Sequence, residues 1–181
     1  MATSPPSMPP PAPFIVTAEL PVDVFSWANG LRSQHYPPER NWLKAHVTLF
    51  HSFAPSLRDE LPRVLARLAG EWAPPPAEIT GLMDLGGGTA LAVRAPGMTA
   101  LRDRIADHFW AMLTKQDQGD KQLHITIQNK VPRADAIALQ RTLEPALPHR
   151  RFAFTGLGLH IYRNPHWEAA GQWPFRGKEH A

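Results

Sequence analysis

The chain has 181 residues, 43% hydrophobic and 19% charged, with 20 prolines, 12 glycines and no cysteine. That length can bury a core without covalent staples, and the missing thiols exclude disulfide frameworks, thiolate zinc sites and cysteine nucleophiles together. The formal net charge of +3 is uneven: residues 1–120 hold 10 Lys/Arg against 12 Asp/Glu, while residues 121–181 hold 9 against 4, so the C-terminal third favours an anionic ligand.

Residues 1–13 contain six prolines and almost no large apolar side chain, a composition expected of a disordered or polyproline-like tail. No run approaches the roughly 18 apolar residues of a membrane span, and the basic-then-apolar order of a signal peptide is missing. A cytoplasmic protein without a membrane partner is the expectation. From Phe14 the pattern becomes regular. Phe14–Leu20 reads as a strand ended by Pro21, and residues 22–34 as a helix stopped at Tyr36-Pro37-Pro38. Leu43 to Phe53 is a second strand. Ser56 to Asp59 fits a capping box ahead of a helical stripe at Leu57, Leu61, Val64, Leu65 and Leu68.

Two strands follow, at about 77–85 and 89–95, joined across Gly86-Gly87-Gly88. The triple glycine lacks the Lys-Ser/Thr of a phosphate-binding loop, so a hairpin turn is expected. Met98, Leu101, Ile105, Phe109 and Met112 mark an amphipathic helix. Leu123 to Asn129 is a strand, and Pro132 opens a helix through about Leu143. The ranges 151–162 and 166–173 read as two strands turning at Arg163-Asn164-Pro165. Hairpins interleaved with helices argue an α+β fold with largely antiparallel sheets. The recurrence of strand-then-helix in each half predicts two similar lobes.

The two matching strands carry the chemistry. One reads Ala45-His46-Val47-Thr48-Leu49-Phe50, the other Leu123-His124-Ile125-Thr126-Ile127-Gln128, with the histidines 78 positions apart. Side chains alternate along a strand, so each histidine shares a face with its threonine while the branched residues take the core side. Nine histidines and ten threonines in 181 positions give about half an accidental His-x-Thr. One copy would mean nothing; two copies, each inside an apolar strand, are much harder to obtain by chance. If the lobes face each other, two imidazoles and two hydroxyls converge on a groove.

These paired motifs resemble those of the 2H phosphoesterases, a family that includes the bacterial 2′-5′ RNA ligase-like proteins and 2′,3′-cyclic phosphodiesterases. The first strand before Pro21 and the closing Leu157-Gly158-Leu159-His160-Ile161-Tyr162 with its Trp-bearing last strand are also similar, so the likeness spans roughly residues 14–175. It implies one bilobal domain over 14–175, with 176–181 as a C-terminal tail, and pseudo-symmetric lobes about a central groove. It also implies a monomer that uses no cofactor and takes RNA ends or a small cyclic nucleotide as its partner. Opening a cyclic phosphodiester needs a base for water and an acid for the departing ribose oxygen. His46 and His124 can fill both roles without a metal, and the sequence leaves open which is which. Thr48 and Thr126 would donate to the non-bridging oxygens. Reversible 2′-5′ RNA joining stays open as well.

Alternation also points Phe50 and Gln128 toward the groove, as a stacking ring and an amide contact, with Lys130 continuing the face and Tyr162 a further stacking candidate. His51, on the apolar face, is expected to be buried, and His108 to pack on its helix stripe. A zinc site from His160 and His166 lacks close ligand spacing. The six tryptophans, at 27, 42, 72, 110, 167 and 173, are expected in the core. A nucleotide-binding protein without turnover and a metal-dependent hydrolase are the competing functions.

Overall fold

In the computed structural model, which describes residues 11–178, the chain forms twelve strands and helices beside short 3-10 turns. The first half runs β1 (Phe14–Glu19), α1 (Val22–His35), β2 (Val47–Phe53) and α2 (Glu60–Glu71). A hairpin of β3 (Pro76–Asp84) and β4 (Thr89–Arg94) leads into α3 (Pro96–His108), β5 (His124–Gln128) and α4 (Arg133–Leu143). The last strands are β6 (Arg150–Ala153), β7 (Gly156–Arg163) and β8 (His166–Pro174).

Two fully antiparallel four-stranded sheets result, ordered β2-β1-β7-β8 and β5-β4-β3-β6. The expected α+β fold is present, and the lobes match element for element. In each, a strand (β1 or β4), a helix (α1 or α3) and an edge strand (β2 or β5) follow in order. Each edge strand carries a His-x-Thr motif, and β2 and β5 lie against each other where the lobes meet. One hydrophobic core runs through both, from Val16, Leu49, Phe53 and Leu65 to Leu91, Met98, Ile105 and Ile125.

An edge strand leaves backbone groups unpaired along one side, and here the opposite lobe covers them. Arg32 on α1 is 3% exposed; it donates to Leu43 O (2.8 Å) and Asn41 Oδ1 (2.7 Å) in its own lobe, and to Thr126 O of β5 (2.8 Å) across the interface. Arg102 on α3, 2% exposed, donates to Asp117 O (2.7 Å) and Gly119 O (3.3 Å), and across to Leu49 O of β2 (3.0 Å). The buried Asp117 carboxylate completes this cover by accepting the backbone N–H groups of His51 and Ser52 at 2.9 Å.

Several sequence expectations change. The 151–162 run is two strands in different sheets: β6 pairs with β3, and β7 with β1. Ser56 lies in a 3-10 turn, and α2 begins after Asp59 without a side-chain cap, so no capping box forms. Met112 falls in a 3-10 turn beyond the end of α3. The hairpin is as expected: Gly86 adopts φ +80°, which only glycine adopts without strain, and its N–H meets Asp84 Oδ1 at 2.9 Å.

The expected N-terminal tail lies mostly outside the described residues; within them, Pro13 O accepts the Tyr162 N–H at 3.0 Å. Arg176 and Gly177 are tied down, donating to Ala69 O and Trp72 O at 3.0 Å each.

Candidate active site

Both motif histidines stand where their strands begin, and both are held the same way. His46 Nδ1 lies 2.7 Å from Lys44 O, and His124 Nδ1 lies 2.9 Å from Gln122 O. A carbonyl can only accept, so each Nδ1 carries the proton and donates it, which leaves each Nε2 free for a substrate. The same two-residue reach-back in both lobes is the local signature of their pseudo-symmetry. Thr48 and Thr126 are part-exposed two positions on, as is His124 at the head of its strand.

Immediately after each threonine the strand bulges. The pairing of β1 with β2 shifts register around Val16 and Phe50, and that of β4 with β5 between Thr89 and Ala90. A bulge breaks the in-out alternation, so Leu49-Phe50 and Ile127-Gln128 both enter the core as consecutive pairs. Phe50 is 0% exposed, against Phe53 and beneath Arg102. Gln128 is buried, with its Oε1 accepting from Thr89 Oγ1 at 3.2 Å. Neither is available to a substrate, which corrects the expectation from alternation. The same bulge turns His51 outward, 41% exposed, with Nδ1 on Asp117 Oδ1 at 3.0 Å.

Lys130 leaves the strand with φ +60° and is exposed beyond its end. Tyr162 sits on the β7–β8 hairpin with its hydroxyl donating to Asn164 Oδ1 at 3.0 Å, away from the cavity walls. His108 is half-exposed and bonds Glu60 Oε1 at 2.9 Å.

A cavity of about 360 Å³ opens beside His46, a volume in the range of small-molecule sites. Its walls bring in residues that motif reading passed over. Trp167 of β8 packs against His46 (ring centroids 4.6 Å apart) and against His160 (5.4 Å). Trp42, 54% exposed, meets His166 edge-on at 5.3 Å. The tryptophans divide: Trp27, Trp72 and Trp173 are partly buried and pack against the core as expected, whereas Trp42 and Trp167 line the cavity and Trp110 is 60% exposed. On the floor, Thr17 Oγ1 accepts from His160 Nε2 (3.0 Å) and donates to Glu19 Oε1 (2.9 Å). The sequence did hold a signal for this pair, because Thr17 and Glu19 are alternate polar residues in an otherwise apolar strand.

Burial pushes His46 down to about 4, against the pull of its own bond to Lys44 O. The guanidinium of Arg32 and the rings of His160 and His124 push the same way. His46 is therefore neutral at pH 7, with its Nε2 lone pair available.

A sequence model of the 2′-5′ RNA ligase superfamily matches residues 20–166, most of the chain. The chain belongs to that superfamily. Solved structures show the superfamily's fold again. The protein TT0787 of Thermus thermophilus aligns with a TM-score of 0.58 at 13% identity, covering 92% of this chain and 100% of that one. A crystal structure described as a phosphoesterase aligns at 0.55 and 18% identity over 91% and 99%. E. coli LigT, solved with 3′-AMP, aligns at 0.55 and 16% identity over 91% and 98%. No curated protein matches the chain in sequence.

The low value of His46 also fixes a sign for stability in this superfamily member. Between pH 6.5 and 4 the unfolded chain binds a proton at this residue and the folded chain does not. Folding stability therefore falls as pH drops through that window, by about 2–3 kcal/mol from His46. Burial shifts His160 and His35 in the same direction. Urea unfolding at pH 7, 5.5 and 4 checks this: His46→Gln should flatten the slope, and an unchanged slope would reassign it.

Proposed function

We propose that the chain is a phosphoesterase that opens 2′,3′-cyclic phosphates, at RNA ends or on small nucleotides, by acid–base catalysis between two histidines. The observation that carries this reading is the matched pair, His46 and His124. Each has Nδ1 anchored on the carbonyl two residues back and a free Nε2, on strands that lie against each other. Support comes also from E. coli LigT, which has been solved with 3′-AMP and with NADP+.

His46, neutral at pH 7, takes a proton from water through Nε2 as the water oxygen attacks phosphorus. The bond from phosphorus to one ribose oxygen breaks. His124, which enters the step as the imidazolium with its Nδ1–H on Gln122 O, gives that oxygen the second proton, from Nε2, and is left neutral. Thr48 and Thr126 donate to the two non-bridging oxygens as charge builds on them. One proton passes from water to His46 and one from His124 to the ribose oxygen, so the reaction as written asks nothing of a metal. The product is a nucleoside monophosphate.

The test is incubation with 2′,3′-cyclic nucleotides and with RNA oligomers ending in a cyclic phosphate, in excess EDTA, with phosphorus NMR as the readout. Ring opening in chelator is expected. Binding without turnover of either substrate would leave a non-catalytic nucleotide-binding protein instead, and loss of turnover on chelation would make the reaction metal-dependent. Thr48→Ala and Thr126→Ala should each lower kcat by roughly 10²-fold; an unchanged kcat would remove that hydroxyl from the transition state.

A further inference from the structure

The cavity beside His46 holds a carboxylate that the proton transfers do not use. Glu19 reaches its floor from the end of β1, and the room for it depends on Gly158 of β7: a Cβ there would collide with both Glu19 Oε1 and Thr17 Oγ1. The carboxylate is oriented from both sides. Oε1 accepts from Thr17 Oγ1 at 2.9 Å, and Oε2 accepts from Gln172 Nε2 at 3.3 Å. Among the described residues no Lys, Arg or His nitrogen forms an ion pair with it. Each oxygen thus keeps a lone pair and lacks a cation, in a cavity walled by Phe25, Trp42 and Trp167. With only these two neutral donors and no counter-charge, a part-buried carboxylate gains from further donors that reach its remaining lone pairs.

The walls limit what that donor can be. Aromatic side chains in a cavity wall suit a flat ring, and an unstacked nucleobase is read by stacking plus hydrogen bonds along its Watson–Crick edge. A two-oxygen acceptor matches an edge with two adjacent N–H donors. Guanine presents N1–H and N2–H side by side. Adenine sets an acceptor beside its amino group, uracil flanks its single N–H with two carbonyls, and cytosine sets an acceptor beside its amino group. Of the four motif side chains His46 alone lines the cavity, so a phosphate held beside His46 has this cavity next to it for its nucleoside.

Resting on the cyclic-phosphate reading above, we infer that this cavity is a base pocket selecting guanine, with Glu19 accepting from N1–H and N2–H between aromatic walls. Thr17, Gln172 and Gly158 are positioning residues that hold the carboxylate. A bidentate contact of this kind separates right from wrong base by about tenfold or more. The wild-type protein should therefore open 2′,3′-cyclic GMP with kcat/KM about tenfold above the adenosine, cytidine and uridine analogues, the difference lying in KM.

Glu19→Gln replaces one acceptor oxygen by a donor and should collapse the guanosine-to-uridine ratio toward one, again through KM. Calorimetric titration of the wild-type protein with 3′-GMP and 3′-AMP supplies a readout that needs neither turnover nor the variant's folding. Tighter binding of 3′-GMP is expected. If 3′-GMP binds more tightly but no cyclic nucleotide is opened, the pocket stands and the reaction reading falls. Equal affinities for the two nucleotides, binding of neither, or equal kcat/KM across the four bases would overturn the pocket while leaving the reaction untouched.

Discussion

His46→Ala and His124→Ala are each expected to lower turnover of a 2′,3′-cyclic nucleotide by about 10³-fold, in the presence of EDTA and with the fold retained. Removing one positioned proton-transfer group costs roughly 10²–10⁴-fold, and these two do their work in the same transition state. Their effects should therefore be non-additive, with the double variant little slower than either single one. The pair should differ in pH behaviour. His46 is neutral through the physiological range, so its loss removes a base and should be partly repaired by added imidazole, which His124→Ala would accept only in protonated form. Turnover surviving in either single variant, with melting behaviour unchanged, would take that histidine out of the reaction.

The second large effect is structural. Arg102→Ala would orphan Leu49 O, Asp117 O and Gly119 O and leave the buried Asp117 carboxylate without its neighbouring positive charge. Breaking a buried charged network at one partner costs about 3–5 kcal/mol. At about 2–4 °C per kcal/mol for a chain of this size, Tm should fall by roughly 10 °C. Arg32→Ala should behave alike, since it strands Leu43 O, Thr126 O and Asn41 Oδ1. Urea unfolding gives the value directly; a loss below about 1 kcal/mol would mean that water replaces the guanidinium without the penalty expected of a buried network.

The fold class was readable because helix and strand periods are local. Val64, Leu65 and Leu68 declare a helix from their own spacing, and the His-x-Thr pairs declare themselves by recurring. Two things were not local. Strand alternation assumes one residue per step, and the bulges after Thr48 and Thr126 add one, which carried Phe50 and Gln128 from the groove into the core. The run 151–162 changes sheets at Phe154-Thr155, and an apolar strand looks the same whichever sheet accepts it. The arginines were invisible for a third reason: Arg32 and Thr126 are 94 positions apart, and nothing near either residue in sequence marks the other.

Those reciprocal arginines bear on how a ligand would come and go. Each guanidinium is rooted in one lobe and seated on a backbone carbonyl of the other, so parting the lobes means pulling a charge out of its fitted socket on both sides at once. Relative movement of the lobes is thus opposed by two buried charged contacts at once. The cavity beside His46, by contrast, is walled by residues of the first lobe alone, so a ligand can enter or leave it with that interface intact.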